Sequence, residues 1–498
     1  MDYMSEARAL VHNLNHRMNP SAYDIAWMAR LRAADGSPRW PDLIDWLLDN
    51  QHSDGSWGGE IVYYHERIIS TLAAIIALKH NGFSRSAKEA LRRGEQYIWQ
   101  HLHLLANDPF ELAGFELLLP TLLLEAQRLA LDVPAHTCGY GKTQNEKLRL
   151  IPPDLLYSQR VSTIVSLEFL GHTPNRDRLR GVLQENGALG NSPSTTAYYL
   201  SFFPEATPAW NYLDTVYQIY HYAPFVFPFR NFDLVWTLNA LRASGRSLTE
   251  FASPVHWTEL QTALTPQGIS IDSTFLVMDG DSTSVTVRLL REAGYTVEHE
   301  VLARFQDAHT LLFRTYAFER NSSISTNVHA LEALRYLPQF PESAATRDAL
   351  LTAIMANLTY DLYWIDKWHG SPYYATAHAI LALLEEGSAS TDLACASSID
   401  WLLHSQQPDG GWGFFRASTA EETAYALTAL LHYHRRCKLT RLDVVQRAAT
   451  YLATHVNDPV EKFPPLYIGK VLYAPYDVIR ATILGALILH EDTFGRIL

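Results

Sequence analysis

Eight residues occur twice in this chain, once towards each end, and they constrain its fold more than any other feature. QHSDGSWG at 51–58 and QQPDGGWG at 406–413 share the pattern Gln-x-x-Asp-Gly-x-Trp-Gly. Each copy follows an apolar helical segment, LIDWLLDN before the first and SIDWLLHS before the second. Two copies this far apart predict two related helical domains. Each copy reads as a loop clamp: Gln can bond backbone at a helix end, Gly permits the turn, and Trp stacks on the adjoining helix. None of these groups moves protons readily, so Trp57 and Trp412 are read as structure.

The rest of the chain agrees with an all-α fold. IISTLAAIIALKHNG (68–82) repeats apolar residues at helical spacing and is expected to stop at Asn-Gly. AGFELLLPTLLLEAQRLALDVP (113–134), SPYYATAHAILALLEEG (371–387) and TAEETAYALTALLHYH (419–434) behave similarly. In the last, Thr419 and Glu422 have capping-box spacing. β-Branched alternation is scarce. No linker marks a domain boundary, but FFPEATPAW gives a loop-like break near 205–210.

Charge and cysteine content exclude several function classes. The 498 residues carry 40 Lys and Arg against 53 Asp and Glu, a net charge of -13, which is the wrong sign for a nucleic-acid surface. Any anion pocket must be a local basic spot. Three scattered cysteines, Cys138, Cys395 and Cys437, form no disulfide framework or zinc-finger spacing. The N-terminal segment has no apolar signal region, and no stretch is apolar enough to span a membrane. The expectation is a cytoplasmic protein without stable membrane insertion.

The strongest chemical signal lies in TFLVMDGDSTSVTVRLLREAGY (274–295). Asp279-Gly280-Asp281-Ser282-Thr283 places two carboxylates one residue apart in apolar surroundings. Burial and like-charge repulsion both raise a carboxyl pKa, so one of the pair can stay protonated near neutral pH. Protonating an unactivated alkene needs such an acid. The same five residues also make an ordinary helix cap.

This segment resembles the Asp-x-Asp-Asp/Thr-Thr motif of class II diterpene cyclases and squalene–hopene cyclases, and the two clamps resemble the family's QW repeats. SAYDIAWMARL, ERIISTLAAIIALK, EKLRLIP, SPSTTAYYL and PLYIGKVLY each resemble a family segment, in the family's order. DKWHGSPYYATAHAI and GFFRASTAEETAYAL look closer to bacterial halimadienyl-type cyclases. The resemblance implies two α-helical double barrels, β and γ, with the active site between them. It puts residues 19–208 in γ and residues 1–18 plus 209–498 in β.

The same resemblance implies residue roles. Asp281 is the general acid, and Asp279 orients it or shares its proton. Asn327 matches an Asn that bonds the acid in plant relatives; otherwise it is a helix-start residue. Lys147 matches a lysine that contacts the diphosphate. Trp236 matches an active-site tryptophan whose π face stabilises cationic charge. Ile271 stands where many relatives have Trp. Val165 and Phe225 stand where plant ent-copalyl enzymes have a His and an Asn that hold the water acting as base. Neither can hold a water, so the resemblance implies a rearranged bicycle, kolavenyl diphosphate first and halimadienyl diphosphate second. Mg²⁺ is expected at the diphosphate, through carboxylates the sequence does not name.

The chain has no Asp-Asp-x-x-Asp and no Asn/Asp-Asp-x-x-Ser/Thr-x-x-x-Glu, the metal-binding motifs of class I synthases. The diphosphate is therefore expected to stay attached, available to a separate class I synthase. The leading expectation is cyclisation of geranylgeranyl diphosphate. The alternatives are a drimane-type cyclase acting on farnesyl diphosphate, a squalene–hopene-type cyclase, and a non-enzymatic helical binding module on a cyclase scaffold.

Overall fold

The computed structural model describes residues 2–81 and 84–495, and its helices build two rings. In the C-terminal ring six helices touch in chain order and the last closes on the first: Arg230–Arg242, Gly280–Glu292, Ile324–Leu334, Pro372–Glu386, Ala420–Cys437 and Tyr476–Phe494. Each lies largely among protein, so its residues are buried around most of the helix, apolar ones and a set of polar ones alike. Ile324–Leu334, for example, buries ten consecutive residues from Ser325 to Leu334. Outer helices cover this ring and bury a single stripe, as Leu442–His455 does with Val444, Val445, Ala448, Ala449 and Leu452. Tyr3–His12, from the far end of the chain, packs on Tyr476–Phe494.

The N-terminal ring has five members: Ala22–Ala29, Tyr64–Asn81, Phe115–Arg128, the 3-10 stretch Ser162–Leu170 and Pro193–Leu200. This ring is inserted between the first helix of the C-terminal domain and the rest of it. Its core runs past the expected break at 208. Helix Thr207–Tyr220 buries Ala209, Leu213 and Val216 in that core, as do Phe275, Val277 and Ile468 from later in the chain. The helix beginning at Tyr64 ends at Asn81; the Gly82 of the expected Asn-Gly stop lies outside the described residues.

Both clamps form as expected and are built alike. Gln51 Nε2 donates to Gly55 O and Ala90 O, and Gln406 Nε2 donates to Gly410 O and Val444 O. The Trp57 and Trp412 indoles donate to the carbonyls of Leu47 and Leu402, and their backbone N–H groups donate to Thr71 and Thr423. Four further loops repeat that last bond with only parts of the motif. Leu189 donates to Thr196, Ile269 to Thr283, Phe313 to Asn327 and Trp364 to Thr376. In every case a loop N–H is satisfied by a side-chain oxygen near the start of the next inner helix.

The hairpin of strands Tyr467–Ile468 and Leu472–Tyr473 ties the two rings together. It belongs to the C-terminal chain segment, yet Ile468, Val471 and Leu472 pack into the N-terminal core. Lys470 at its tip donates to Glu168 Oε1 at 2.8 Å, to Val165 O at 2.7 Å and to Ser192 Oγ at 2.8 Å.

Candidate active site

The cleft between the rings lies at the N-terminal ends of the inner helices of the C-terminal ring. Helix Gly280–Glu292 starts there. Asp279 caps it, its Oδ1 accepting the Ser282 N–H at 2.5 Å. Asp281 follows in the first turn and is only 5 % exposed. Its Oδ1 lies 2.6 Å from His329 Nδ1, and its Oδ2 accepts a long bond from Ser325 Oγ at 3.4 Å. His329 Nε2 in turn lies 3.0 Å from His378 Nδ1.

Burial decides the protonation of this cluster. Desolvation pushes Asp279 up to about 7, with the Asp281 charge adding to it and the Ser282 N–H bond opposing it. Desolvation also holds His378 well below the usual histidine value, helped by His329 and Arg288. The site thus holds two adjacent carboxyls, one of them able to keep a proton near neutral pH, backed by a neutral imidazole.

A cavity runs from Asp281 and Asp279 to a charged mouth. Its walls are aromatic: Phe232, Trp236, Tyr316, Trp368, Tyr374 and Tyr473 all line it. Trp236 Nε1 donates to Ser282 Oγ at 3.2 Å, which fixes its ring beside the acid. Ser282, where plant relatives have Asp, thus serves as the acceptor for that indole. Ile271 lies on the same wall.

At the mouth Lys147 joins two cations that sequence reasoning missed, Arg320 and Lys367. Arg320 pairs with Glu111 and lies 3.3 Å from Glu116, while Lys367 pairs with Glu319 at 2.5 Å. Lys147 donates to Phe318 O, and burial lowers its pKa. Three cations at one end of an apolar tunnel suit a diphosphate group. Among the described residues, no group of three or more His, Cys, Asp or Glu could hold a metal ion alone. The carboxylates of Glu111 and Glu319 are hard oxygen donors at the mouth. They fit a Mg²⁺ that takes its remaining ligands from phosphate and water.

The structure brings Asp281, Asp279, Trp236, Lys147, Val165 and Phe225 to this one cavity. It does not bring Asn327 to the acid. Asn327 Oδ1 accepts the Phe313 N–H at 2.8 Å, and its Nδ2 donates to Phe313 O and Ser323 O. Asn327 is a loop clamp standing where the other inner helices have Thr. The expected bond to the acid comes instead from His329, about half a turn further along the same helix. The one sequence signal for His329 and His378 was a lone imidazole in each of two otherwise apolar helices; nothing marked Arg320 or Lys367.

No protein-family model matches the chain. A type B diterpene cyclase from Mycobacterium tuberculosis is 32% identical over 509 aligned positions, covering 96% of this chain and 97% of the relative. A (+)-kolavenyl diphosphate synthase from Herpetosiphon aurantiacus is 28% identical, covering 97% of each. Among solved structures, ent-copalyl diphosphate synthase from Streptomyces platensis superposes with a TM-score of 0.79 at 27% identity, over 98% of this chain and 99% of that one. The first relative extends along both chains almost end to end, and the solved structure shares the architecture. The chain therefore belongs to the class II diterpene cyclase family and is an enzyme.

Proposed function

We propose that the enzyme protonates the terminal alkene of geranylgeranyl diphosphate and closes it into a bicycle with the diphosphate retained. The observation that carries this reading is the cavity itself. Its lining combines the buried carboxyl pair, the cations Lys147, Arg320 and Lys367, and a set of aromatic rings in one space. Asp281 is the acid. Its proton passes to the alkene, leaving a carboxylate and a tertiary carbocation, and successive alkene π pairs form the two ring bonds. The His329 N–H on Oδ1 stabilises the carboxylate left behind. Trp236 and Phe232, with ring centroids 5.9 Å apart, offer π faces to the cation. One proton enters and one leaves, so the reaction is an isomerisation.

Lys147, Arg320 and Lys367 hold the diphosphate. Glu111 and Glu319 would be the residues to hold a Mg²⁺ there, which would supply neutralisation of the diphosphate charge. The bond to the diphosphate is not broken, so the product remains a substrate for a separate class I synthase.

The product reading rests on Val165 and Phe225. Both lie on the cavity wall, and Phe225 packs against Tyr473 at 5.3 Å between centroids. Neither side chain accepts a proton or fixes a water. The bicyclic cation therefore survives long enough for 1,2-shifts, giving a clerodane or halimane skeleton, kolavenyl diphosphate first. Incubation with geranylgeranyl and farnesyl diphosphates, followed by dephosphorylation, mass spectrometry and NMR, tests all three parts. A C20 rearranged bicyclic alcohol is expected. A released hydrocarbon would contradict diphosphate retention, turnover of farnesyl diphosphate alone would contradict the substrate, and an unrearranged copalyl skeleton would contradict the missing base.

A further inference from the structure

Behind Asp281 the axis of the C-terminal barrel carries polar groups where apolar packing would be ordinary. His378 sits half-buried on the Pro372–Glu386 helix, with its Nδ1 3.0 Å from His329 Nε2. Beside it lies a second, smaller cavity lined by Asn239, Thr428 and Thr482. Arg288 donates to Asn239 Oδ1 and pairs with Glu332. Arg288 lies seven residues, about two turns, deeper than Asp281 on the same helix. Arg242 lies in the last turn of its own inner helix, at the deep end of the barrel.

Given Asp281 as the acid, the state of His329 decides whether that acid works. A neutral imidazole has one N–H and one lone pair. With the proton on Nδ1, His329 donates to Asp281 Oδ1 and leaves the carboxyl proton on Oδ2, free for the alkene. With the proton on Nε2, the Nδ1 lone pair faces the carboxyl and accepts its proton, and the acid is spent on the imidazole. The partner of Nε2 makes this choice. We propose that His378 is a positioning residue that donates its Nδ1–H to His329 Nε2 and so locks His329 in the donor tautomer.

The chain of contacts sets the direction of that bond. An N–H on His329 Nδ1 serves the Asp281 oxygen 2.6 Å away, which leaves the Nε2 lone pair for a donor, and His378 Nδ1 faces it at 3.0 Å. Arg288 and Arg242, which help to keep His378 neutral, are themselves paired with Glu332. His378 also faces His369, Tyr374 and Tyr425. None of these replaces it at His329 Nε2, whose bond is to His378.

The direct test is long-range proton–nitrogen NMR of the full chain labelled at histidine nitrogens, which distinguishes a protonated Nδ1 from a protonated Nε2. His329 is expected as the Nδ1–H form; the Nε2–H form overturns the proposal, whatever any variant does. Kinetics add a second arm. His378→Phe keeps a ring but no donor, and kcat should fall about tenfold or more with KM and Tm near wild type. His378→Gln restores an N–H and should recover most of that loss. A His378→Phe enzyme with wild-type kcat, or a stable Gln variant no better than Phe, overturns the proposal. An active Asp281→Asn enzyme would instead remove the acid assignment and leave the tautomer measurement standing.

Discussion

Two buried carboxyl groups flank the cleft, one in each barrel, and their surroundings differ. Glu168 in the N-terminal ring accepts from Lys470, Tyr23, Ser194 and Thr195, with distances from 2.6 to 3.4 Å. Asp281 in the C-terminal ring has the His329 contact and one long bond from Ser325. A cation and three hydroxyls anchor Glu168 in place. Asp281 has far fewer partners and lines the cavity, as the proposed acid must. The same scaffold thus spends one carboxylate on holding the domains together and the other on chemistry.

The largest effect separates these roles by activity. Asp281→Asn preserves volume but removes the transferable proton, so turnover should fall by about a thousandfold or more. Stability should hold or rise, because a buried acid with few partners has been replaced by a neutral amide. Product analysis and thermal unfolding of one preparation measure both. Near-normal turnover in a folded variant would sink the assignment.

The converse experiment strikes the structural carboxylate. Lys470→Met leaves Glu168 buried without its cation, which costs about 3–5 kcal/mol. Urea unfolding should show that loss, and the double variant Lys470→Met with Glu168→Gln should recover most of it. If the double variant is no more stable than the single one, the pair is not what holds the hairpin in the N-terminal ring.

A smaller effect distinguishes a clamp from a catalytic contact. Asn327→Thr places at this position the residue that five of the other inner helices use, so stability and kcat should both stay close to wild type. Asn327→Ala leaves the buried Phe313 N–H unpaired and should cost about 1–3 kcal/mol of stability. The kcat of the folded fraction should change little. A well-folded Asn327→Thr enzyme that fails to turn over would return Asn327 to the active site.

The same comparison shows what the sequence could reveal. Two clamps were legible because Gln, Gly and Trp all survive in them. The loops ending at Leu189, Ile269, Phe313 and Trp364 share only a backbone bond, whose donor can be any residue but proline; Asn186-Gly187 survives in one and the Trp364 indole bond to Ile354 O in another, so no single pattern betrays them. Asp279 and Asp281 stood out as charges interrupting apolar sequence. Their partners did not, because His329 and His378 lie 48 and 97 residues beyond Asp281, by subtraction of their numbers, and only ring closure brings them together. Arg320 and Lys367 are ordinary loop charges until the two barrels set them beside Lys147.

The smallest effect concerns pH and the partner carboxyl, Asp279. Its pKa is raised to about 7, against about 4 for an ordinary aspartate. A group raised in this way binds its proton more tightly in the folded state. It therefore adds stability that is fully present below about pH 4 and is lost as pH rises through about 7. Asp233, Asp477 and Glu66, also raised to about 7, act in the same direction, so thermal stability should decline across that window. The rate has its own reason to decline there. Asp279 loses its proton near pH 7, and that proton is then no longer there to be shared with its neighbour. Asp279→Asn removes the neighbouring charge that helps Asp281 retain its own proton. The alkaline limb of the kcat profile should then move to lower pH, by about one unit. Short initial-rate assays, each within the stability range of its variant, separate this shift from unfolding. A limb that stays in place would mean that Asp279 only caps the helix, and that Asp281 keeps its proton without help from its neighbour.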